Sequence, residues 1–315
     1  MRLLHSLEAW DAPACVAAVG NFDGVHLAHQ SLLRAALHEA RALGMPAVGV
    51  SFEPHPTRIL APQAAPPLLT PGEEKIRCLA ATGLDALVLL PFSRDLSLLS
   101  PRAFVTQILV RGLRIRALHE GENFRFGHRQ KGTMATLERL GREFHFGVHP
   151  HPVVRVRGEV VSSSRIRSLV SAGDVARARW LLGRPFAVRG LVTAGRGVGR
   201  QQTVPTLNLE PYPELLPAHG VYCTCVEVGG HRLPALTNVG VRPTFGPGGA
   251  VTVESHLLEP PPAALQAALE QPITVHFLHR VRDERRFESP QALRAQIELD
   301  IVHAGVFFRR LPARR

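Results

Sequence analysis

Residues 16–30 of the chain read VAAVGNFDGVHLAHQ, a short apolar run followed by a glycine-containing loop and two histidines. The first four residues are apolar and few enough to form a buried strand. After the loop, apolar residues recur at helical spacing from Leu32 to Leu43, and the pattern stops at Gly44. The stretch therefore predicts a strand, a loop at 20–24 and a helix that begins near the two histidines.

His26 and His29 fall in the first turn of this predicted helix, three residues apart, so they share one helix face. The start of a helix presents backbone N–H groups and the positive end of the dipole, which favour a phosphate. Two imidazoles there could donate hydrogen bonds to a triphosphate as charge builds during a transfer step. The local pattern fits equally well a tight turn followed by two surface histidines.

Composition limits the class of protein. The 315 residues suffice for two domains with cores of their own, and 45% hydrophobic with 20% charged residues is typical of a soluble globular chain. Because no apolar run could span a bilayer and the N-terminus lacks a signal-peptide core, we expect a cytoplasmic protein without a membrane partner. The cysteines, Cys15, Cys78, Cys223 and Cys225, lack the second pair that a zinc site of four ligands needs, which predicts core thiols.

The formal net charge of +11 raises the question of a nucleic-acid partner. Lys75 and Lys131 are the only lysines, so 37 − 2 = 35 of the basic residues are arginines. This skew indicates a genome-wide compositional bias, and the arginines lack the interleaved aromatics of single-strand binders. We therefore predict no nucleic-acid partner, and a positive cleft for phosphorylated small molecules explains part of the charge.

Strand and helix patterns alternate in the first half of the chain. The strand candidates are Ala47–Phe52, Leu87–Leu90 and Leu113–Leu118, and the helix candidates are Glu73–Gly83 and Pro101–Leu109. This rhythm predicts an α/β fold with a doubly wound, Rossmann-like parallel sheet. Ligands of such sheets bind beyond the carboxyl ends of the strands, where the loops at 20–29 and 121–127 both lie.

The loop at 121–127 reads GENFRFG, with one aromatic ring on each side of an arginine. A planar ring could pack on the aromatics while Arg125 meets a phosphate. The alternative is a surface loop that its aromatics anchor. Farther along, the serines at 162–164 precede an apolar helical pattern, which is typical of a helix cap.

From Gly183 onward, helical spacing gives way to short alternating strands and frequent Gly and Pro turns. The strand candidates are Phe186–Val192, Val221–Val228, Leu233–Asn238, Val251–Leu258 and Ile273–Leu278, and a closing helix runs from Pro290 to about His303. The pattern predicts a small antiparallel β-barrel with a C-terminal helix. It divides the chain into domains at 1–183 and 184–315.

Five motifs along the chain resemble, in order, those of the bacterial bifunctional riboflavin kinase/FMN adenylyltransferase family, the FAD synthetases. They are Gly20-x-Phe22-Asp23-Gly24-Val25-His26-x-x-His29, the 121–127 loop, Ser163-Ser164-x-x-Arg167, Pro205-Thr206-x-Asn208 and Val253-Glu254-x-His256. The family usually has glycine where Ala28 and Thr203 stand, and threonine where Ser164 stands. A Cβ at Ala28 would crowd the nucleotide, and Thr203 replaces a residue whose φ can need to be positive.

The resemblance implies an N-terminal domain that transfers AMP from ATP to FMN, giving FAD and pyrophosphate. In that domain, His26 and His29 are expected to stabilise the triphosphate as catalytic residues. The expected nucleotide- and phosphate-binding residues are Gly20, Phe22, Asp23, Gly24, Ser163, Ser164 and Arg167. The expected flavin-binding residues are Asn123, Phe124 and Arg125.

The resemblance also implies a C-terminal riboflavin kinase that makes FMN from riboflavin and ATP. Its expected ATP-binding residues are Gly195, Gly199, Thr206 and Asn208, of which Thr206 and Asn208 offer oxygen ligands to Mg²⁺. Strand alternation puts Glu254 and His256 on the face opposite Val251 and Val253. Glu254 is the expected general base for the 5′-hydroxyl of the ribityl chain.

Two other functions stay open from the residues alone. One is an FMN adenylyltransferase whose barrel binds flavin without phosphorylating it. The other is a flavin-binding or nucleic-acid-binding protein without turnover. The presence of Thr206, Asn208 and Glu254 together favours an active barrel. The sequence leaves the oligomeric state open.

Overall fold

The computed structural model describes residues 1–193, 206–241, 251–260, 265 and 267–311. The chain forms two compact units, Met1–Ser163 and Ser164–Arg315. The first unit is built on a parallel sheet and the second on an antiparallel sheet.

The sheet of the first unit has six parallel strands. They are β1 (Arg2–Leu4), β2 (Cys15–Val19), β3 (Ala47–Glu53), β4 (Ala86–Pro91), β5 (Ile115–Gly121) and β6 (Gly147–His151). Their order in the sheet is β1-β4-β3-β2-β5-β6. The direction of winding reverses between β2 and β5, and this reversal creates the crevice that binds ligands in doubly wound sheets. The predicted fold class is confirmed.

Helices cover both faces of this sheet. They are α1 (Leu27–Ala42), α2 (Pro56–Leu60), α3 (Gly72–Ala80), α4 (Arg94–Leu98), α5 (Pro101–Phe104) and α6 (Met134–Phe144), and a small hairpin of β7 (Arg155–Val156) and β8 (Glu159–Val160) follows. All five residues of β2 are buried because it is a central strand with both faces covered. Val16 and Ala18 pack on the α1 side, and Ala17 and Val19 face the opposite core.

Several predicted element bounds in this unit were wrong, two of them for a clear physical reason. The helix expected over Pro101–Leu109 is α-helical for only four residues and continues as a π-helix, Val105–Gly112. The strand expected to end at Leu118 continues through His119 and Glu120. The apolar pattern stops at Leu118, but specific hydrogen bonds satisfy both polar side chains, and so the strand can extend.

The second unit begins at the second residue of α7 (Ser163–Ser171), continues with α8 (Val175–Leu182) and contains a seven-stranded antiparallel sheet. Its strands are β9 (Phe186–Gly190), β10 (Val192–Thr193), β11 (Thr206–Leu209), β12 (Gly220–Val228), β13 (His231–Val241), β14 (Val251–Leu257) and β15 (Ile273–Asp283). The order is β10-β11-β14-β13-β12-β15-β9. Only Leu191 separates the two outermost strands in sequence, so the sheet curls into a partly open barrel, which confirms the prediction.

A long C-terminal helix, α9 (Pro290–Arg310), completes the second unit. It packs on β12 and β13 through a cluster that includes Cys223, Leu236 and Ala304. Arg282 on β15 pairs with the buried carboxylate of Asp300 on α9 at 2.9 Å. The helix extends well past the predicted end at His303, because its buried contacts continue beyond that residue to Phe307 and Phe308.

Burial keeps two of the cysteine thiols protonated. It raises the pKa of Cys15 and Cys223 to about 12, as expected for core thiols.

Helix α8 packs on β9 and β15, which places it in the second unit. The predicted division at residues 183 and 184 stays a prediction. Among the described residues, no helix combines the length and apolarity needed to cross a bilayer.

Candidate active site

A cavity of about 920 Å³ lies beside the carboxyl ends of β2 and β5 in the first unit. Its lining comes from the two loops that the sequence placed at this edge, 20–29 and 121–127, together with side chains from neighbouring segments. The volume suits a nucleotide-sized or flavin-sized ligand. The cavity therefore lies where the winding of the sheet predicts a binding site.

The loop between β2 and α1 has an unusual backbone. Phe22, Gly24 and Val25 have φ values of 49°, 89° and 38°. A valine rarely adopts positive φ, because its branched side chain meets the backbone there. Such conformations persist only where the surroundings hold them, and they concentrate at functional sites.

Asp23 is one of the residues that hold this loop. Its Oδ1 accepts hydrogen bonds from the backbone N–H groups of Leu69 at 2.9 Å and Thr70 at 3.0 Å. The hydroxyl of Thr70 in turn accepts from the backbone N–H of Gly24 at 2.8 Å. Ser163 donates to the carbonyl of Asp23 at 2.8 Å. Asp23 is only 3% exposed. Its buried carboxylate therefore fixes the shape of the loop through these hydrogen bonds.

His26 and His29 occupy different positions around the same helix start. His26 is the N-cap of α1, and its Nδ1 accepts from the backbone N–H of His29 at 3.3 Å. A neutral imidazole that accepts through Nδ1 carries its proton on Nε2. The two rings stack with centroids 3.6 Å apart. His26 is 4% exposed, whereas His29 contributes to the cavity lining, so the cap orients the histidine that faces the cavity.

Aromatic side chains form much of the cavity wall. Phe124 stacks on Phe126 with centroids 5.4 Å apart and an interplanar angle of 11°. On another part of the wall, Phe52 and Phe92 meet edge to face at 5.8 Å. Such surfaces suit the flat rings of adenine or isoalloxazine. Asn123 and Arg125 also line this cavity, so the structure brings the predicted flavin-binding loop and the predicted triphosphate loop to one space.

Glu120 is a cavity residue that the sequence analysis did not select. Its side chain is 2% exposed, and its Oε1 accepts from the backbone N–H of Val19 at 2.8 Å. Burial raises the pKa of this carboxyl well above its ordinary range, against the opposing effect of the backbone hydrogen bonds. An acidic residue two positions after Leu118, the predicted end of the strand, was the available signal, because a charge beside a buried strand needs a particular environment.

The remaining predicted residues of this motif set are divided between the cavity and the segment that follows it. Gly20 and Phe22 line the cavity, and Ser163 lies behind the loop through its bond to Asp23. Ser164 and Arg167 belong to α7 in the second compact unit. Their predicted contacts with phosphate stay predictions.

In the second unit, strand register brings the predicted kinase residues together. Asn208 on β11 and Asn238 on β13 are both directly opposite Glu254 on β14. Thr206 is likewise opposite His256. Side chains directly opposite each other in neighbouring strands point to the same face. Two motifs nearly fifty residues apart in sequence therefore meet on one face of the sheet.

The two faces of β14 differ as the sequence predicted. Val253, Ser255 and Leu257 are buried, whereas Glu254 and His256 are partly exposed. Burial lowers the pKa of His256, which favours its neutral form. Gly195 and Gly199 fall outside the residues that the structure describes.

On the buried face, hydroxyl groups form a row across three strands. Thr237 lies 2.6 Å from Thr224 and 2.8 Å from Ser255, oxygen to oxygen. These contacts satisfy polar groups inside the barrel and fix the register of β12, β13 and β14. The register in turn keeps Glu254 opposite its two asparagines.

Comparisons with known proteins identify the family of the chain. A model of the FAD synthetase family matches residues 8–165, and a model of the riboflavin kinase family matches residues 182–308. The chain is 36% identical over 304 residues to the bifunctional riboflavin kinase/FMN adenylyltransferase of Pseudomonas fluorescens, with 96% of each chain covered. The chain belongs to the bifunctional riboflavin kinase/FMN adenylyltransferase family. Its identity to the bifunctional riboflavin kinase/FMN adenylyltransferase of Escherichia coli (strain K12) is 34% over 309 residues, which cover 98% of this chain and 97% of that one.

One solved structure shows how far the likeness extends in three dimensions. It is described as a macrolide-efflux protein from Streptococcus pneumoniae and superposes with a TM-score of 0.85 at 28% identity. The match covers 98% of this chain and 99% of that one. The folds of the two units, each taken by itself, therefore recur in another protein.

The family membership confirms the predicted function. The chain phosphorylates riboflavin to FMN and then transfers an adenylyl group from ATP to FMN, giving FAD and pyrophosphate. Its substrates are flavins and ATP, with Mg²⁺ as the usual metal. Because both family models match, an inactive barrel is not favoured.

Proposed function

We propose that the adenylyl transfer takes place in the cavity of the first unit and the phosphorylation on the β11–β14 face of the second. The observation that carries this division is the convergence of each predicted motif set on its own site. The loops of the first set line one cavity, and the strands of the second set are in register. We further propose domains at 1–183 and 184–315 and a cytoplasmic location, without nucleic-acid or membrane partners.

In the adenylyl transfer, His29 is the histidine that stabilises the triphosphate. Its ring lines the cavity and is held by stacking on His26 and by the edge of Phe22. A preorganised imidazole N–H strengthens its hydrogen bond to phosphate oxygens as pyrophosphate leaves and negative charge accumulates there. His26 supports this step as the cap that orients His29.

The acceptor flavin and the adenine use the aromatic wall. Phe124 offers a ring face beside the glycine loop, and Arg125 offers a bidentate guanidinium for the FMN phosphate. An FMN phosphate oxygen attacks the α-phosphorus of ATP, a new P–O bond forms, and the bond to pyrophosphate breaks. The protein's contribution is position and charge stabilisation, and no covalent enzyme intermediate is needed.

In the kinase reaction, Glu254 is the general base. It accepts the proton of the ribityl 5′-hydroxyl as that oxygen attacks the γ-phosphorus of ATP and ADP leaves. The Thr206 hydroxyl and the Asn208 side-chain oxygen fit Mg²⁺, because they are hard oxygen donors two residues apart on one strand face. When bound there, the ion neutralises charge on the ATP phosphates. The predicted role of Gly195 and Gly199 is to bind the phosphates of this ATP. Ser164 and Arg167 stay the predicted phosphate-binding residues of the adenylyl transfer.

Substitution of Asn208 by alanine tests this assignment. The protein is incubated with ATP, Mg²⁺ and either riboflavin or FMN, and the flavins are separated. We expect Asn208→Ala to lose FMN formation at ordinary Mg²⁺ concentrations and to make FAD from supplied FMN at the normal rate. The second reaction controls for the activity of the preparation, and the circular dichroism melting curve checks that the second unit is folded. Normal FMN formation with an unchanged Mg²⁺ requirement would overturn the proposed ATP site.

A further inference from the structure

A histidine-rich cluster lies at the edge of the first unit's sheet, on the face that α1 covers. His119 on β5 and His149 on β6 are directly opposite each other in the parallel ladder. Their rings stack with centroids 4.8 Å apart. Glu39 reaches them from the last turn of α1, with its Oε2 2.7 Å from His119 Nε2 and 3.2 Å from His149 Nε2. Three elements thus direct donor atoms to one point.

We propose that Glu39, His119 and His149 bind a divalent transition-metal ion, for which Zn²⁺ is the best match. Across the parts of the chain that the structure describes, they form the one group of His, Cys, Asp or Glu whose three donor atoms all lie within 4.8 Å of one another. Tetrahedral zinc sites place such donors about 2.0–2.2 Å from the ion, which separates them by about 3.3 Å. Small side-chain movements suffice to reach that separation.

The chemistry of the donor set favours zinc over magnesium. Two imidazoles and one carboxylate are donors that transition metals prefer, whereas Mg²⁺ prefers oxygen donors and retains water. The side chain of His149 is 45% exposed and that of Glu39 is 28% exposed, so an ion and a water ligand can reach the site. His119, at 6%, is the buried ligand that fixes the position of the other two.

A second contact gives His119 the support that ligating histidines have. His119 Nδ1 lies 2.9 Å from Nε2 of His151. With His119 bound to metal through Nε2, its proton is on Nδ1 and is donated to His151, which fixes the ring orientation. His151 also lines the cavity, so the metal would position a residue of the cavity wall.

Charge and space at the cluster agree with a bound cation. Glu39 puts a negative charge in the last turn of α1, where the helix dipole is also negative, and a cation there compensates both. Arg41 in the same turn pairs with Asp85 instead. A Cβ at Gly147 would lie 3.0 Å from His149 Nε2, so the glycine makes room for the ring to turn toward Glu39.

The test uses the complete chain without an affinity tag, freed of metal by a chelator. Zn²⁺ affinity is measured by competition with a chromophoric chelator, and Co²⁺ serves as the optical probe. We expect one ion per chain, a tetrahedral Co²⁺ absorption band, and a melting temperature that rises with Zn²⁺ but not with Mg²⁺. His149→Ala should lower Zn²⁺ affinity more than about 100-fold, and His151→Ala about 10-fold or more through loss of the outer partner.

His38→Gln is the matched control, because His38 is an exposed histidine next to Glu39 on another face of α1. It should leave both affinity and the Co²⁺ spectrum unchanged. Glu39→Gln preserves the shape of the side chain and should also weaken Zn²⁺ binding. It provides a second test if His149→Ala does not fold. Zn²⁺ binding that is equal in wild type, His149→Ala and Glu39→Gln, or an absent tetrahedral Co²⁺ band, would overturn the proposal.

Discussion

In the first unit most predicted site residues lie on loops or at the start of a helix, whereas in the second unit the predicted kinase residues that the structure describes lie within strands. The loop between β2 and α1 has positive φ at Phe22, Gly24 and Val25, and a buried aspartate holds it. Asn208 and Glu254 need only the register of β11 and β14. A strained loop can bring backbone N–H groups close to a triphosphate, whereas a strand face offers a rigid row of side chains to a metal and a hydroxyl. The two sites therefore differ in what a single substitution can break.

The largest expected effect is on the strand-based site. Glu254→Gln is nearly isosteric and removes the proton acceptor, so riboflavin phosphorylation should fall about 100-fold or more. The rate of FAD formation from supplied FMN should stay normal, because that site is in the other unit. Separate assays of the two reactions on one preparation measure this. Parallel loss of both activities in a folded protein would contradict two independent sites.

His29→Ala tests the loop-based site. Removing a preorganised donor typically costs about 3 kcal/mol, so kcat for FAD formation should fall roughly 100-fold or more. The Kd of ATP should change little, because backbone N–H groups at the helix start still hold the phosphates. Phosphorylation of riboflavin is the internal control.

The capping role of His26 gives this test a counterpart. Loss of an N-cap typically costs about 1 kcal/mol of stability, so His26→Ala should lower the melting temperature more than His29→Ala does. A melting shift in His29→Ala with kcat preserved would show that His29, too, serves only the helix start.

Glu120→Gln tests whether the buried carboxyl of Glu120 is held in its protonated form. Burial raises the pKa of Glu120, so the unfolded chain loses its proton at lower pH than the folded one. The contribution of Glu120 to stability is therefore complete below the ordinary carboxyl pKa and is lost as pH rises toward the raised value. Glutamine keeps the acceptor for the Val19 N–H and does not ionise. We expect a melting temperature above that of wild type, by a few degrees, with a difference that grows with pH; a constant difference would argue against a buried acid.

Ala28→Gly should have the smallest effect. Ala28 lines the cavity next to His29, at the motif position where the family resemblance implies glycine and where we expect the nucleotide to approach the backbone. Removal of the methyl group should lower the KM of ATP severalfold in FAD formation and leave the kinase step unchanged. The destabilising effect of glycine within the first helical turn, about 1 kcal/mol, should appear in the melting temperature. An unchanged or higher KM would show that the loop accommodates the methyl group without loss.

The strand-based site was the easier one to predict, for a physical reason. Side chains alternate along a strand with a fixed period of two, so the Val-Glu-x-His pattern was enough to put Glu254 on the more exposed face. Thr206–Leu209 was not predicted as a strand, and its pairing with β14 depends on tertiary register. The loop-based site had no such period. Leu69 and Thr70 are some 46 residues from Asp23, and no local pattern indicates that they hold it.

By itself, the sequence determined the alternation of strands and helices in the first half of the chain, the change to short antiparallel strands after it, and the two motif sets. Those properties depend on local periodicity and on short spacings, which a chain carries before it folds. Only the tertiary structure decided that His29 faces the cavity while His26 caps the helix, and that Glu120 is buried beside Val19. Only it brought Glu39, His119 and His149 within reach of one ion. Contacts between residues 80 or more positions apart depend on how strands and helices pack, which no spacing in the sequence records.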